Sequence, residues 1–270
     1  MATNSEIAAR PAAIVTGGGR GIGRAITVRL AREGPVVAVG QTSAHLESVA
    51  EECSLTGAVV VPCVGDIRDP ATATAAVQVV RDHGWALGHL VCNAGMGKSG
   101  STEAIPLDLW RQIFDVNFHG TFQMVQACLP LLLEHAAGAI TIMSSLAGTR
   151  GVARDAAYTA SKHALIGLAR SLALEYRKRG LTVAALCPSF VESDMTERTI
   201  QGVMRRHSLS EIDARARVAN RCPAGRILPA SEIADAVALI GAGRLTEAVG
   251  LAARGGYPVI GTCDLPQVVE

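Results

Sequence analysis

The chain has 270 residues, which is long enough for one domain with a well-buried core. Hydrophobic residues make up 49% of it and aromatic residues only 3%, a balance that suits helices packed on a parallel sheet better than an aromatic-rich β-sandwich. The formal net charge of +1 gives no reason to expect a nucleic-acid or membrane partner.

In the first half of the chain, short apolar runs typical of buried strands alternate with amphipathic stretches typical of helices. Helices are predicted over 22–33, 45–53 and 70–83. The predicted strands are AAIVT (12–16), VVAVG (36–40), AVVVPCV (58–64) and, together with the turn after it, ALGHLVCNAG (86–95).

The same alternation continues in the second half. A long helix is predicted over 107–135, bent at Pro130 because proline interrupts the helical hydrogen-bond pattern. A strand (139–145), a helix (156–179) and a sixth strand (181–188) follow. The pattern predicts an α/β fold, a single-domain Rossmann-type doubly wound parallel sheet of about seven strands flanked by helices, over residues 1–270.

The segment 193–226 breaks this rhythm, because it is polar and carries seven arginines. It follows the sixth strand and therefore lies at the carboxyl edge of the sheet, where open α/β folds bind ligands. We interpret it as a substrate lid, with a solvated helical pair as the alternative. Residues 257–270 are interpreted as a short C-terminal tail.

The seven cysteines include no Cys-x-x-Cys pair, so neither a metal site nor a disulfide framework is indicated. We expect most of them to be buried thiols in a reducing compartment. The N-terminal residues MATNSEIAAR lack an apolar signal core, and no apolar run approaches membrane-spanning length. These observations predict a cytoplasmic protein without a metal.

A glycine-rich stretch, TGGGRGIG (16–23), joins the first predicted strand to the first predicted helix. It does not fit the G-x-G-x-x-G fingerprint, but Gly17, Gly21 and Gly23 fit a G-x-x-x-G-x-G spacing. A strand, glycines and then a helix present free backbone N–H groups to an anion, and a Cβ there blocks a pyrophosphate. Arg20 strengthens the interpretation as a nucleotide site, since a guanidinium suits phosphate.

The end of the second strand indicates which dinucleotide is bound. NAD-binding folds place Asp or Glu about twenty residues after the glycines, to bond the ribose 2′-hydroxyl. Here the strand ends in Gly40, Gln41, Thr42 and Ser43, without a carboxylate. The missing acid, Arg20 and the two hydroxyls favour a 2′-phosphate, so NADP(H) is favoured over NAD(H).

YTASK (158–162) places Tyr158 and Lys162 four residues apart on one helix face. A free phenol has a pKa of about 10, and a neighbouring cation lowers it toward neutrality. Ser145, at the carboxyl end of the fifth strand, can bond a carbonyl oxygen that Tyr158 protonates. The alternatives are an incidental Tyr and Lys on an exposed face, and a turn cap at Ser145.

Asn117 lies inside a predicted helix, where Asn is unfavourable unless a local kink or a bound water requires it.

These motifs, taken in order, resemble the short-chain dehydrogenase/reductase family over about 13–256. The resemblance implies a catalytic tetrad of Asn117, Ser145, Tyr158 and Lys162. In such a tetrad the tyrosine exchanges the proton, and the serine holds the substrate oxygen. The lysine lowers the tyrosine pKa and binds the nicotinamide ribose, and the asparagine supports a proton-relaying water.

The resemblance also implies contacts to a dinucleotide. Asp66 and Ile67 are expected at the adenine, 93–95 along the adenosine, and Pro188 and Val191 at the nicotinamide. Departures from the family pattern are Cys92 for Asn, Ser189 for Gly, and an altered chain end. The full set of expected cofactor residues is Gly17, Arg20, Gly21, Ile22, Gly23, Gln41, Thr42, Asp66, Ile67, Asn93, Ala94, Gly95, Tyr158, Lys162, Pro188 and Val191.

Within the family the chain looks most like 3-oxoacyl-[acyl-carrier-protein] reductases, which implies an acyl-thioester substrate, a carrier-protein partner and a homotetramer or homodimer. The helix ending PLLLEHAAG (130–138) lacks the basic residues that dock such a carrier. Arg150, Arg154 and the stretch 198–226 can receive an acidic thioester or any carboxylated substrate. The alternatives are an NAD(H)-dependent alcohol, sugar or steroid-type dehydrogenase and a non-catalytic dinucleotide sensor.

Overall fold

The computed structural model describes residues 10–134 and 138–261, and these contain one seven-stranded sheet. Its strand order is β3-β2-β1-β4-β5-β6-β7. The first six strands pair in parallel, whereas β7 pairs with β6 in the antiparallel direction. The strands are β1 Ala12–Thr16, β2 Val36–Gly40, β3 Val60–Val64, β4 Leu87–Cys92, β5 Ala139–Met143, β6 Thr182–Leu186 and β7 Val259–Ile260.

Helices cover both faces of this sheet. They are α1 Gly21–Leu30, α2 Ser43–Ser54, α3 Pro70–Asp82, α4 Leu107–Phe114, α5 Gly120–Glu134, α6 Ala156–Tyr176, α7 Asp194–His207, α8 Glu211–Ala219, α9 Ala230–Gly241 and α10 Leu245–Arg254. This architecture confirms the predicted doubly wound fold, with the antiparallel last strand as the one departure. No helix in the described ranges is both long enough and apolar enough to span a bilayer.

The strands are apolar throughout because helices bury both sides of the sheet. Successive residues of a strand face opposite layers, so Ile14 belongs to one apolar cluster and Val15 to the other. Leu90 and Val91 divide between the same two clusters in β4. This two-sided burial explains why strand residues appear in the sequence as continuous apolar runs rather than as alternating ones.

The long helix predicted over 107–135 is interrupted at 115–119 and not at Pro130, where the bend was expected. A five-residue π turn, Asp115–His119, separates α4 from α5, and α5 continues through Pro130 to Glu134. The extra residue of a π turn redirects side chains, and π turns are frequent at functional sites. Asn117 lies at the centre of this turn, where the regular α-helical hydrogen-bond pattern is interrupted. The predicted last residue, His135, lies outside the described residues.

The strand order reverses between β1 and β4, and the crevice at this switch point is where doubly wound folds bind ligands. The segment 193–226 forms α7 and α8, which share a small apolar cluster around Ile200 and Val218. Of the interpreted tail, Tyr257 is buried and β7 extends the sheet beside β6. The remainder of the tail, 262–270, lies outside the described residues.

Candidate active site

The glycine turn after β1 is packed so tightly that a side chain at Gly23 would clash with its neighbours. Gly17 and Gly21 have φ values of +65° and +53°, a region that favours glycine. A Cβ on Gly23 would lie 2.0 Å from the Gly17 carbonyl oxygen. Arg20, which precedes α1, makes no side-chain cap hydrogen bond to the helix. The turn is therefore compact, and no Arg20 side-chain cap occupies the first N–H groups of α1.

Thr16 and Asn93 join the ends of β1 and β4 beneath this turn. The Thr16 hydroxyl accepts hydrogen bonds from the backbone N–H groups of Asn93 (2.9 Å) and Ala94 (3.0 Å). The Asn93 amide donates to the Thr16 carbonyl at 3.0 Å. Thr16 was missing from the predicted site, although a hydroxyl residue that ends an apolar strand just before the glycines was a signal that could have identified it.

Two predicted cofactor residues are engaged with charged neighbours. Arg20 pairs with Asp194 at the start of α7, 3.2 Å away, and both side chains are exposed. Asp66 accepts a hydrogen bond from Arg68 Nε at 2.9 Å, and this guanidinium lowers the pKa of the carboxyl. The nearby Gln41 side chain also contributes to lowering this pKa. Arg20 thus links the glycine turn to the lid segment, a contact that the sequence did not indicate.

Ile67 occupies a different environment from the one expected. Its side chain is buried in the core and packs so closely on α5 that a Cβ on Gly120 would lie 2.8 Å from it. The side chain therefore supports the helix, and only its backbone remains available to an adenine.

Tyr158 and Ser145 lie together at the carboxyl edge of the sheet, and both line one cavity. The Ser145 hydroxyl accepts a hydrogen bond from the N–H of Ala147 at 3.1 Å, so the expected turn cap exists. Burial raises the pKa of the Tyr158 phenol, the nearby Ser145 side chain opposes this rise, and the Asp155 carboxylate adds to it. The phenol is therefore protonated at neutral pH.

Lys162 lies behind the tyrosine and is almost fully buried. Its Nζ donates to the Met143 carbonyl at 2.7 Å and lies 5.6 Å from the centre of the Tyr158 ring. Burial lowers the pKa of this ammonium to about 8. The adjacent Ser144 donates to the Lys162 carbonyl at 2.9 Å and so anchors α6 to β5. In this geometry burial affects the Tyr158 pKa more than the lysine does, so the expected lowering of that pKa stays a prediction for the cofactor complex.

Asn117 joins the loop after β4 to helix α6 with its fully buried side chain. Its Oδ1 accepts from the Met96 N–H at 2.8 Å, and its Nδ2 donates to the Met96 carbonyl and to Ser161 Oγ, each at 2.9 Å. Ser161 in turn donates to the Tyr158 carbonyl at 2.8 Å. Ser161 therefore connects Asn117 to the helix that carries Tyr158. The sequence analysis did not identify Ser161 as a site residue, although it belongs to the YTASK motif.

A cavity of about 630 Å³ opens over these residues. The predicted residues that line it are Ile22, Asn93, Gly95, Ser145, Tyr158, Lys162, Pro188 and Val191. The remaining predicted cofactor positions are outside that lining, at or just after the carboxyl ends of β1 to β4, and Asn117 supports the cavity from behind. The fold therefore brings together, on one edge, residues that are up to 174 positions apart in sequence.

Comparison with known proteins identifies the family. The family model described as short chain dehydrogenase matches residues 11–203, which is well over half of the chain. The chain belongs to the short-chain dehydrogenase family. This dehydrogenase is accordingly an oxidoreductase, as the motifs predicted.

Three named reductases and dehydrogenases are similar to this dehydrogenase over most of its length. The 3-oxoacyl-[acyl-carrier-protein] reductase FabG of Salmonella typhimurium is 33% identical over 84% of this chain and 88% of its own length. A solved actinorhodin polyketide ketoreductase variant with NADPH superposes with a TM-score of 0.83, at 31% identity over 91% of this chain and 94% of that one. Carveol dehydrogenase from Mycobacterium avium in complex with NAD has a TM-score of 0.79, at 28% identity over 87% and 91% of the two chains.

Proposed function

We propose that this short-chain dehydrogenase reduces the 3-oxo group of an acyl thioester to a hydroxyl, using NADPH. The observation that carries the proposal is that the side chains of Tyr158 and Ser145 line one cavity of about 630 Å³, with the Lys162 ammonium 5.6 Å from the tyrosine ring centre. The likeness to FabG and to a polyketide ketoreductase supports the choice of a thioester carbonyl as substrate.

The proton chemistry follows from the raised pKa of Tyr158. A protonated phenol is a general acid, and it suits transfer of a proton to a carbonyl oxygen as negative charge develops there. The Ser145 hydroxyl holds that oxygen in place and stabilises the charge. Lys162, held 5.6 Å from the ring centre, stabilises the tyrosinate that remains.

The residues present fit a nicotinamide dinucleotide, which supplies the hydride when bound. The compact glycine turn and the start of α1 suit a pyrophosphate. The Lys162 ammonium has three N–H donors and one protein acceptor, Met143, so it retains donors for ribose hydroxyls. A side chain at Gly95 would approach Lys162 Nζ to 3.5 Å, so glycine keeps this approach open. Asn117 acts as a positioning residue for Met96 and α6, and its proton-relaying water stays a prediction.

NADPH is proposed over NADH because of charge at the edge of the turn. Gln41, Thr42 and Ser43 offer no carboxylate to a ribose 2′-hydroxyl, and the glycine turn carries Arg20, whose exposed guanidinium pairs with Asp194. An Arg20→Ala variant should bind NADPH about tenfold more weakly and NADH almost unchanged, because a charge-assisted bond to the 2′-phosphate is lost. Fluorescence titration of both cofactors measures this. Arg24→Ala is the matched control, since Arg24 faces Ser48 and Glu52 on α2. Equal losses for both cofactors would contradict the assignment.

The substrate class is tested by NADPH oxidation with a panel of acetoacetyl thioesters, small ketones and sugars. We expect the thioesters to have the highest kcat/KM. Faster oxidation of an alcohol or sugar with NAD than reduction of any thioester would instead support the alternative, an NAD(H)-dependent dehydrogenase.

The segment 193–226 is proposed to be a substrate lid. Met195 and Thr199 of its helix α7 line the cavity. Asp194, the first residue of α7, pairs with Arg20 of the glycine turn. Within 1–270 we propose a single catalytic domain with this lid. The buried, unpaired state of the six described cysteines supports a reducing compartment such as the cytoplasm.

We propose further that the enzyme is a homodimer or homotetramer. Large apolar side chains are exposed on α4, α5 and α6, with 60% of Leu107, 43% of Phe122 and 70% of Leu174 accessible. Sedimentation velocity should give a species of two or four chains, and a monomer at micromolar concentration would contradict this.

A further inference from the structure

The cavity around Tyr158 contains a single acidic side chain. Among the described residues that line the cavity, Asp155 is the one that carries a carboxylate. It immediately precedes helix α6 and lies three residues before Tyr158, a spacing that makes side chains on a helix neighbours. Its charge contributes to raising the pKa of the Tyr158 phenol, so the two groups are close in space. The proposed proton transfer does not use this carboxylate.

Asp155 occupies the N-cap position of α6, where an aspartate normally accepts a hydrogen bond from the first turn of the helix. Asp69 does so at the start of α3, where its carboxylate accepts from the Ala71 N–H at 2.9 Å. The Asp155 side chain makes no such cap hydrogen bond. Helix capping therefore does not explain why an acid is found at this position.

The backbone around Asp155 accounts for the missing cap. An N-cap residue usually has an extended conformation, as Asp69 has with φ −90° and ψ 119°. Asp155 instead has φ −133° and ψ 34°, and Arg154 before it has a φ of +67°. Two backbone hydrogen bonds hold this loop, from the Gly100 N–H to the Arg154 carbonyl at 2.8 Å and from the Asp155 N–H to the Val152 carbonyl at 3.2 Å. Unfavourable backbone conformations that are held in this way are concentrated at functional sites.

The Asp155 carboxylate is half-buried, and no cation neutralises it by direct contact. Within residues 10–134 and 138–261 it forms no ion pair, although several arginines line the same cavity. Burial raises the pKa of this carboxyl, and the nearby Ser99 side chain and Arg221 guanidinium oppose the rise. An ionised acceptor in this position therefore depends on the contents of the cavity for further hydrogen bonds.

Substrate binding changes the surroundings of this carboxylate. A substrate that fills the cavity displaces solvent, so the carboxylate must accept a hydrogen bond from the substrate or lose solvation without compensation. A site of this kind rejects an analogue that lacks the matching donor. Because Lys162 and several arginines line the same cavity, a cationic donor would be repelled, and a neutral hydroxyl suits the site better.

We propose that Asp155 determines substrate specificity by accepting a hydrogen bond from a hydroxyl group on the acyl chain, near the carbonyl that is reduced. The inference rests on the proposed function, because it assumes a 3-oxoacyl thioester. On the thioester side of the reacting carbonyl lie a methylene group and the thioester carbonyl, and neither is a hydrogen-bond donor of this kind. The donor therefore belongs to the other side, the variable part of the acyl chain. The enzyme is selective for hydroxylated 3-oxoacyl chains over aliphatic ones.

The test uses N-acetylcysteamine thioesters of 3-oxohexanoate, of its 5-hydroxy and 6-hydroxy derivatives, and of their methyl ethers. A methyl ether keeps the oxygen atom but has no proton to donate. NADPH oxidation gives kcat/KM for each ester. We expect one hydroxy ester to exceed both the parent ester and its own methyl ether about tenfold, because a hydrogen bond to an ionised acceptor is stronger than one between neutral groups.

Substitutions at Asp155 should remove this preference. Asp155→Asn keeps the size of the side chain but loses its charge, and it should reduce the tenfold ratio to about threefold. Asp155→Ala should reduce the ratio to about one, because the acceptor is lost. A ratio within each variant cancels general effects on folding and on the chemical step. Asp69→Asn is the matched control, an N-cap aspartate outside the cavity lining, and it should keep the tenfold ratio.

The possible outcomes separate this inference from the proposed function. An unchanged ratio in Asp155→Ala would overturn the inference. Equal losses for all esters in Asp155→Ala, matched by Arg221→Ala, would indicate that the carboxylate instead holds Arg221 in place, and would also overturn it. If the unmodified enzyme reduces all the esters equally well, the inference fails and the proposed function stands. If it reduces none of them, the proposed function fails and this inference fails with it.

Discussion

Replacing Tyr158 with Phe should lower kcat for carbonyl reduction about a thousandfold while leaving NADPH affinity within about twofold. The variant keeps the ring that packs on Gly97, and it removes only the hydroxyl proposed to donate the proton. Single-turnover kinetics with acetoacetyl thioester, together with a fluorescence titration of NADPH, separates the chemical step from cofactor binding.

Tyr176→Phe is the matched control for this substitution. Tyr176 ends the same helix, α6, but its hydroxyl lies away from the cavity, so kcat should be unchanged. If Tyr158→Phe turned over substrate at the unmodified rate, the assignment of Tyr158 as the proton donor would be wrong. A loss of NADPH binding as large as the loss of kcat would instead indicate a structural role for the hydroxyl.

Replacing Gly23 with Ala should nearly abolish dinucleotide binding and lower the free energy of unfolding by about 2–3 kcal/mol. The new Cβ would lie 2.0 Å from the Gly17 carbonyl oxygen and 2.5 Å from Asn93 Nδ2. Because one of these atoms belongs to the backbone of the glycine turn, the turn must open, and the start of α1 loses its position. Thermal unfolding with and without NADPH measures both effects, through the midpoint itself and through its rise on adding cofactor.

Gly250→Ala controls for the general effect of replacing a helical glycine. Gly250 lies in α10, its φ is not positive, and no atom lies within 4 Å of an added Cβ, so alanine there should stabilise the protein by about 0.5–1 kcal/mol. A Gly23→Ala protein whose midpoint still rises with NADPH as much as that of the unmodified enzyme would show that the turn does not hold the cofactor.

The sequence alone predicts most of the sheet and much of the site. The bounds of β1 and β2 coincide with the apolar runs 12–16 and 36–40, because two-sided burial demands unbroken apolar residues. The glycine turn, Ser145 and YTASK each follow or precede such an element at short range. Since parallel strands place their carboxyl ends on one edge, the order of strands and motifs already predicts that these residues meet.

Other features depend on pairings between distant segments, for which no local pattern exists. Asn117 is unfavourable inside a helix by its residue type, but its bonds to Met96 and Ser161 follow from the packing of α4 and the π turn against α6. The contact of Arg20 with Asp194 joins residues 174 positions apart, and the antiparallel pairing of β7 depends on how the last segment returns to β6.

The arginines around the cavity show most clearly what the sequence determines and what the tertiary structure determines. The sequence by itself determined the fold class, the family motifs and the presence of many arginines in 193–226, because composition and periodicity are local properties of the chain. Only the tertiary structure decided that Arg150, Arg154 and Arg221 join those of α7 around one cavity, and that Arg20, Arg215 and Arg226 pair with carboxylates instead. The physical reason is that the free energy of a charge depends on which groups lie within a few ångströms of it, and folding determines those neighbours.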